Sequence, residues 1–242
     1  MPSINIQPIT IRVRRSNPAE SDEVPWLRVL SLASTLQQAV PGAVLGCEMT
    51  AAIFGMHRHT REVDMLYPNL TFHMAEVLEA LESRRTWRAA LPGCAPGVLR
   101  GALRGVEVVI RDFSRAAPLQ LGRVLIEGIS LVLPTPPEIL RLKADLVIER
   151  REWRDFVDLG VLCAVLGREV AEEAFGRYDD LHGFGRVNLL RGCLLRDLPE
   201  ADTGDFPVVN AKRCEEFYVV DHCCGLAALL RRWATANGRR VQ

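Results

Sequence analysis

From Trp26 to Val40, apolar side chains recur at Leu27, Leu30, Ala33, Leu36 and Val40. This spacing lays one apolar stripe along a helix, and Pro41-Gly42 breaks it. Upstream, Ile9, Ile11 and Val13 alternate with polar residues over 8–15, which predicts a strand; the polar segment SNPAESDEVP that follows reads as a loop. Ala43 to Leu45 is a short buried strand ending at Gly46. The pattern next predicts a small helix over Met49 to Gly55, a basic loop, and a strand through Glu62, Val63, Asp64 and Met65. His73 to Ser83 carries Met74, Val77, Leu78 and Leu81 on one helical side. LPGCAPG, residues 91–97, is turn-rich, and residues 98–113 hold one or two strands. Val124 to Ile126 and Ile129 to Leu133 flank Glu127-Gly128 as a hairpin.

At Pro134 the period changes from strand to helix. Thr135, Pro136, Pro137 and Glu138 predict a capping box, with Thr135 accepting from the Glu138 amide and the Glu138 side chain returning to the Thr135 amide. A helix through ILRLKADLVIERR follows, then a second from Trp153 to Leu166 ending at Gly167, then further helical pieces over 170–196 and 212–236. DLPEADTGDFP, residues 197–207, reads as a linker. The fold class expected is α/β (α+β), a mixed sheet flanked by helices with a helical C-terminal part. The domain division expected is 1–135 for the α/β core, with residues 1–23 peripheral to it, and 136–242 for the helical region.

The 30 basic and 30 acidic residues cancel, so no global field announces a nucleic-acid partner, and one would have to be held by a local patch. Among the basic residues only Lys143 and Lys212 are lysines. The N-terminus lacks the basic start and apolar stretch of a signal peptide, and no apolar run approaches the roughly 20 residues that span a bilayer. Seven cysteines without framework spacing fit a reducing cytoplasm, so the expectation is a cytoplasmic chain with no membrane partner.

Candidate chemistry gathers around Val44 to Pro68. Alternation on a strand projects Glu62 and Asp64 from one side about 7 Å apart, with Val63 and Met65 turned into the core. Two carboxylates so placed suit Mg²⁺, which is commonly held by one or two carboxylates together with substrate phosphates. Glu107, inside the apolar run VEVVI, joins them if its strand is the neighbour. A solvated acidic strand face accounts for the same spacing. Gly46 permits a tight strand-to-helix turn whose free amides face a phosphate, and His57, Arg58, His59 and Arg61 supply cations just before the acids.

A second cluster follows the predicted capped helix. Lys143, Val147, Arg150 and Arg154 share one face if that helix continues, with Asp155 and Asp158 one turn apart nearby. As a site, Lys143 binds a triphosphate while Asp155 or Asp158 directs it; as surface chemistry, the same residues are ion pairs worth little. Cys214, His222, Cys223 and Cys224 lack the CxxC spacing of a zinc site and read as buried thiols in a helix. Trp153, Phe156 and Trp233 read as core, and Arg231, Arg232, Arg239 and Arg240 as a solvated basic tail.

Together these motifs resemble the nucleotidyltransferase superfamily, most closely its AbiEii toxin-like branch of type IV toxin–antitoxin systems. The strand-turn motif of that family reads here as Gly46-Cys47, the helix Met49 to Gly55, His57-Arg58-His59-Thr60 and Glu62-Val63-Asp64. Its later motif, a proline-rich turn, a helix with a lysine and basic-Asp-x-x-Asp, reads as Lys143, Arg154, Asp155 and Asp158. The resemblance covers roughly residues 40–165. It implies Mg²⁺ held by Glu62, Asp64 and Glu107, and a nucleoside triphosphate (NTP) as substrate contacted by Gly46, Cys47, Arg58, Thr60, Lys143 and Asp158. Glu62, Asp64, Glu107, Lys143 and Asp155 then form the catalytic set. The acceptor hydroxyl lies on tRNA in several such toxins, and a cognate antitoxin is the implied protein partner. Cys47 in place of a hydroxyl residue, and Glu62 and Glu107 in place of Asp, depart from the pattern. Those departures point to one alternative, a catalytically degenerate nucleotide- or protein-binding module, and the zero net charge points to another, a small-molecule, antibiotic-type nucleotidyltransferase.

Overall fold

The computed structural model describes residues 6–8, 26–54, 60, 62–90, 95–115 and 117–196, and these fall into two compact units. The first comprises Met1–Ile53 and His59–Thr135, the second Phe54–Arg58 and Pro136–Gln242. The strand expected over 8–15 lies mostly outside the described residues, as do the helix over 212–236, the linker at 197–207 and the cysteine cluster.

In the first unit α1 (Trp26–Ala39) buries Leu30, Ala33 and Leu36 as its stripe predicts, whereas Leu27 is exposed and Val29 and Leu32 are buried instead. The buried arc is therefore rotated toward the neighbouring helical rows. β2 (Val44–Leu45) leads into α2 (Cys47–Ile53), and β3 (Val63–Pro68) into α3 (Leu70–Glu82). Residues 98–113 form two strands, β5 (Val98–Leu103) and β6 (Val106–Phe113), preceded by β4 (Trp87–Ala89). Arg104 and Gly105 both have positive φ, 53° and 80°, the hand that matches strand twist in a two-residue hairpin. The hairpin β7 (Leu121–Ile126) to β8 (Ile129–Pro134) repeats the device with Glu127 and Gly128 at 47° and 81°.

The five-stranded sheet has the order β2-β3-β6-β5-β4, and a three-stranded sheet the order β1-β7-β8, where β1 is Ile6–Pro8. The larger sheet is mixed, because β3 and β6 run parallel while every other neighbouring pair is antiparallel. Helices α1 and α2 pack on β3 and α3 on β6. Val63, Met65, Leu103, Val106, Val108 and Ile110 are all buried. A side chain of that size contributes roughly 1.5–3 kcal/mol on burial, so β3 and β6 are strongly held in register.

The second unit is helical throughout its described part: α4 (Pro136–Arg150), α5 (Trp153–Leu166), α6 (Arg168–Gly176), α7 (Tyr178–His182) and α8 (Arg186–Arg196). The expected capping box does not form. The Thr135 amide donates to the Gln120 carbonyl at 2.9 Å, its hydroxyl is buried without a hydrogen-bond partner, and the Glu138 carboxylate takes the Arg141 guanidinium at 2.6 Å. A buried guanidinium is a stronger partner for a carboxylate than one backbone amide. Nor does the helix continue from Lys143 to Arg154: Arg151 has φ 56°, a new helix starts at Trp153, and Arg154 pairs with Glu152 at 2.6 Å.

Candidate active site

Asp64 lies on β3 at a position the pairing fixes from both sides. On one edge β2 is antiparallel, with Leu45 opposite Met65, and the Gly46 amide donates to the Asp64 carbonyl at 2.8 Å. On the other edge β6 is parallel, with Val63 beside Val108 and Asp64 beside Val109. Because alternate residues share a face, Asp64 and Leu66 of β3 face the same way as Glu107, Val109 and Arg111 of β6 and Arg100 of β5. Glu107 is thus brought to the neighbouring strand, as the sequence requires for it to join the other acids.

Glu62 precedes β3 by one residue instead of lying within it, and its backbone carbonyl accepts from the Thr60 hydroxyl at 2.5 Å. This hydroxyl, a candidate phosphate contact, is turned to the main chain. Burial, followed by repulsion from Glu48 and Glu107, raises the Glu62 carboxyl above its ordinary range. For Asp64 burial again comes first. The Arg111 guanidinium opposes it and Glu48 and Glu62 add to it, leaving the carboxyl pushed up to about 6. Arg111 Nε stands 3.3 Å from Asp64 Oδ1, and on the exposed rim Arg100 is 3.6 Å from Glu107.

Gly46 acts otherwise than the turn argument expects. Its amide is engaged and its φ is not among the positive ones, so it is neither a free phosphate donor nor a left-handed turn residue. Glycine is required because the Asp64 side chain lies across it: a Cβ there would stand 2.0 Å from Asp64 Oδ2. Cys47, partly buried, opens α2. Arg58 lies outside the described residues.

Two contributors were missed from the sequence. Glu48, in the first turn of α2, reads there as an ordinary helix-dipole acid, yet its charge bears on both Glu62 and Asp64. Arg111 was detectable by parity, since it follows Glu107 by four residues on a strand and so shares its face.

The second candidate cluster lies in the helical unit. Lys143 is buried, with Nζ 2.7 Å from Asp158 Oδ2 and 3.9 Å from Asp155 Oδ1. Desolvation raises the Asp155 carboxyl against the pull of Lys143 and Arg150, and Asp155 Oδ2 is buried without a hydrogen-bond partner. Phe156 is core, as its spacing predicts.

The acids of the sheet are oxygen donors only, the chemistry Mg²⁺ takes. Among the described residues, however, no three His, Cys, Asp or Glu side chains are grouped closely enough to hold a metal by themselves. Such a donor set fits a cation that brings phosphate and water ligands with it, Asp64 supplying one carboxylate and Glu62 or Glu107 another. Among the described residues no helix is long and apolar enough to cross a membrane.

No protein-family profile matches the chain and no curated protein does. Among solved structures it is similar to ANT(2")-Ia in complex with adenylyl-2"-tobramycin, at 13% identity over 64% of this chain and 95% of that one, with a TM-score of 0.43. A solution structure of the antibiotic-resistance factor ANT(2'')-Ia matches at 12% identity, 64% and 90% coverage and a TM-score of 0.42. An antigenic nucleotidyltransferase-like protein from Paracoccidioides brasiliensis matches at 15% identity, 63% and 87% coverage and 0.42.

Proposed function

We propose that the chain is a nucleotidyltransferase, moving a nucleotide from an NTP to an acceptor hydroxyl with Mg²⁺ as cofactor. One observation carries this reading: β3 and β6 run parallel in a register that sets Glu107 beside the Glu62 and Asp64 segment, with Gly46 kept bare beneath Asp64. Bound there with the triphosphate, the cation would offset phosphate charge and lower the pKa of the attacking hydroxyl. Asp64 and Glu62 would hold it. Glu107, the most accessible of the three, receives the proton as the acceptor oxygen bonds to the α-phosphorus and pyrophosphate leaves. Arg111 and Arg100 lie on the same sheet face with guanidinium donors suited to phosphate oxygens. Catalysis on this plan is positioning and electrostatic stabilisation.

The finer reading, transfer to tRNA by an AbiEii-like toxin restrained by an antitoxin, is supported by the ordered sequence motifs. A second reading is favoured by the Arg111 to Asp64 ion pair at 3.3 Å: a binding module of the same fold in which the guanidinium permanently takes the cation's place. Incubating the protein with each labelled NTP, Mg²⁺ and either bulk tRNA or aminoglycosides separates the readings. Label on tRNA, reduced by about a thousandfold in Asp64→Asn, is expected for the enzyme. NTP binding without transfer to any acceptor sinks it in favour of the binding module, and label on the aminoglycoside alone moves the acceptor to a small molecule.

A further inference from the structure

Four carboxylates, Glu48, Glu62, Asp64 and Glu107, meet two guanidinium groups, Arg100 and Arg111, around one sheet face. The two ion pairs differ in kind. Arg100 and Glu107 pair on the rim, where both side chains are well exposed and screening leaves little energy. Asp64 is enclosed, its side chain 7% accessible, whereas Arg111 is 32% accessible. A guanidinium with solvent on one side can turn away without being stranded; an enclosed carboxylate cannot leave. The contact is also a single Nε–H to Oδ1 bond of 3.3 Å, far from the parallel double bond that an Arg and a carboxylate form at their strongest. Arg111 is held in reach by register, since it pairs with Leu66, the next residue after Asp64 on the same face of β3.

We propose that Arg111 is an exchangeable counter-cation for Asp64, occupying the position a divalent cation takes and leaving it when that cation binds. The inference rests on the nucleotidyltransferase reading of this site and adds its regulation. Cation binding is then weak in the free protein, because it must displace the guanidinium. It strengthens with an NTP, whose phosphates both add ligands to the cation and give the released Arg111 a new partner on the same face. Asp64 keeps Arg111 as its partner until substrate and cation arrive together.

Mn²⁺ binding followed by electron paramagnetic resonance, without nucleotide, tests this. Arg111→Gln should bind Mn²⁺ about tenfold or more tightly than the wild type, the factor expected for removing a competing charged hydrogen bond. Arg111→Lys, which keeps the charge, should stay within about threefold. Melting in EDTA should place Arg111→Gln below the wild type, with Mn²⁺ restoring more of its transition temperature than the wild type gains. Should Arg111→Gln not fold, the Nε–H resonance of Arg111 in ¹⁵N-arginine-labelled wild type carries the test: it should shift on addition of Mg²⁺. Mn²⁺ binding that depends on Asp64 yet is no tighter in Arg111→Gln, or an Arg111 resonance unmoved by Mg²⁺, overturns the inference and leaves the function standing. Absence of Mn²⁺ binding in every variant, with and without NTP, overturns the cation reading of the site as well.

Discussion

Both units enclose ionised side chains, but they balance them differently. In the helical unit acids and their partners are shut in together: Glu138 with Arg141 at 2.6 Å, Lys143 with Asp158 at 2.7 Å and with Asp155 at 3.9 Å, and Asp145 with Tyr178 at 2.7 Å and with His182. Glu138, Arg141 and Lys143 are almost wholly inaccessible, and the Arg141 Nε also donates to the Ala174 carbonyl of α6 at 2.9 Å. Among the described residues on the sheet face of the other unit, the Arg111 to Asp64 pair is longer than the closest of these, at 3.3 Å, and its guanidinium stays open to solvent. An enclosed network of short pairs ties helices to one another. A longer pair with one partner open to solvent holds its carboxylate less tightly.

Glu138→Ala presses hardest on that contrast. It leaves the Arg141 charge buried without its carboxylate and should cost about 3–5 kcal/mol in denaturant unfolding, a loss that no divalent cation restores. If Mg²⁺ restored it, the helical network would be the ligand site.

Asp64 tests the other side through pH. Its folded carboxyl titrates near 6 against an ordinary value of 3.8, so between those limits the folded chain binds the extra proton. Stability from this group is therefore fully present below about pH 4 and is lost as pH rises through 6, on the order of 3 kcal/mol at most. In EDTA the wild type should lose stability relative to Asp64→Asn over that window. Parallel profiles would mean that Asp64 is not the strained carboxylate.

Gly46→Ala sharpens the comparison least in energy and most in location. The new methyl must displace the Asp64 carboxylate or the β2–α2 turn, costing about 1–3 kcal/mol by overpacking. NTP transfer should fall with it, measured by label incorporation at a temperature where the variant is folded. Full transfer by Gly46→Ala would show that the position of the Asp64 carboxylate is unimportant.

Where local signals were strong, elements were legible in the sequence. The α1 stripe, the α5 start and its Gly167 stop, and the turn at Glu127-Gly128 depend on a few adjacent residues. β4 passed unnoticed because three residues, Trp87 to Ala89, carry no period, and only pairing with β5 makes them a strand. The capping box was a sound local prediction overridden at long range, since Glu138 gains more from Arg141 inside the helical unit than from a backbone amide. Lys143 with Asp158 was visible as a spacing, but its burial was not, because exposure depends on which helices cover the face.

What the sequence determined by itself is the inventory of the sheet site: acids of alternating parity at Glu62, Asp64 and Glu107, and a glycine at position 46, the last element of a strand-to-turn pattern. Side-chain alternation is a property of the extended chain, so parity is readable without a fold. Which of those acids would be enclosed and which open, that Glu48 would join them, that Arg111 would stand against Asp64, and that Gly46 is needed for the Asp64 side chain rather than for a turn were decided only in tertiary structure. The parallel pairing of β3 with β6, strands more than thirty residues apart, sets those neighbours, and no local spacing encodes it.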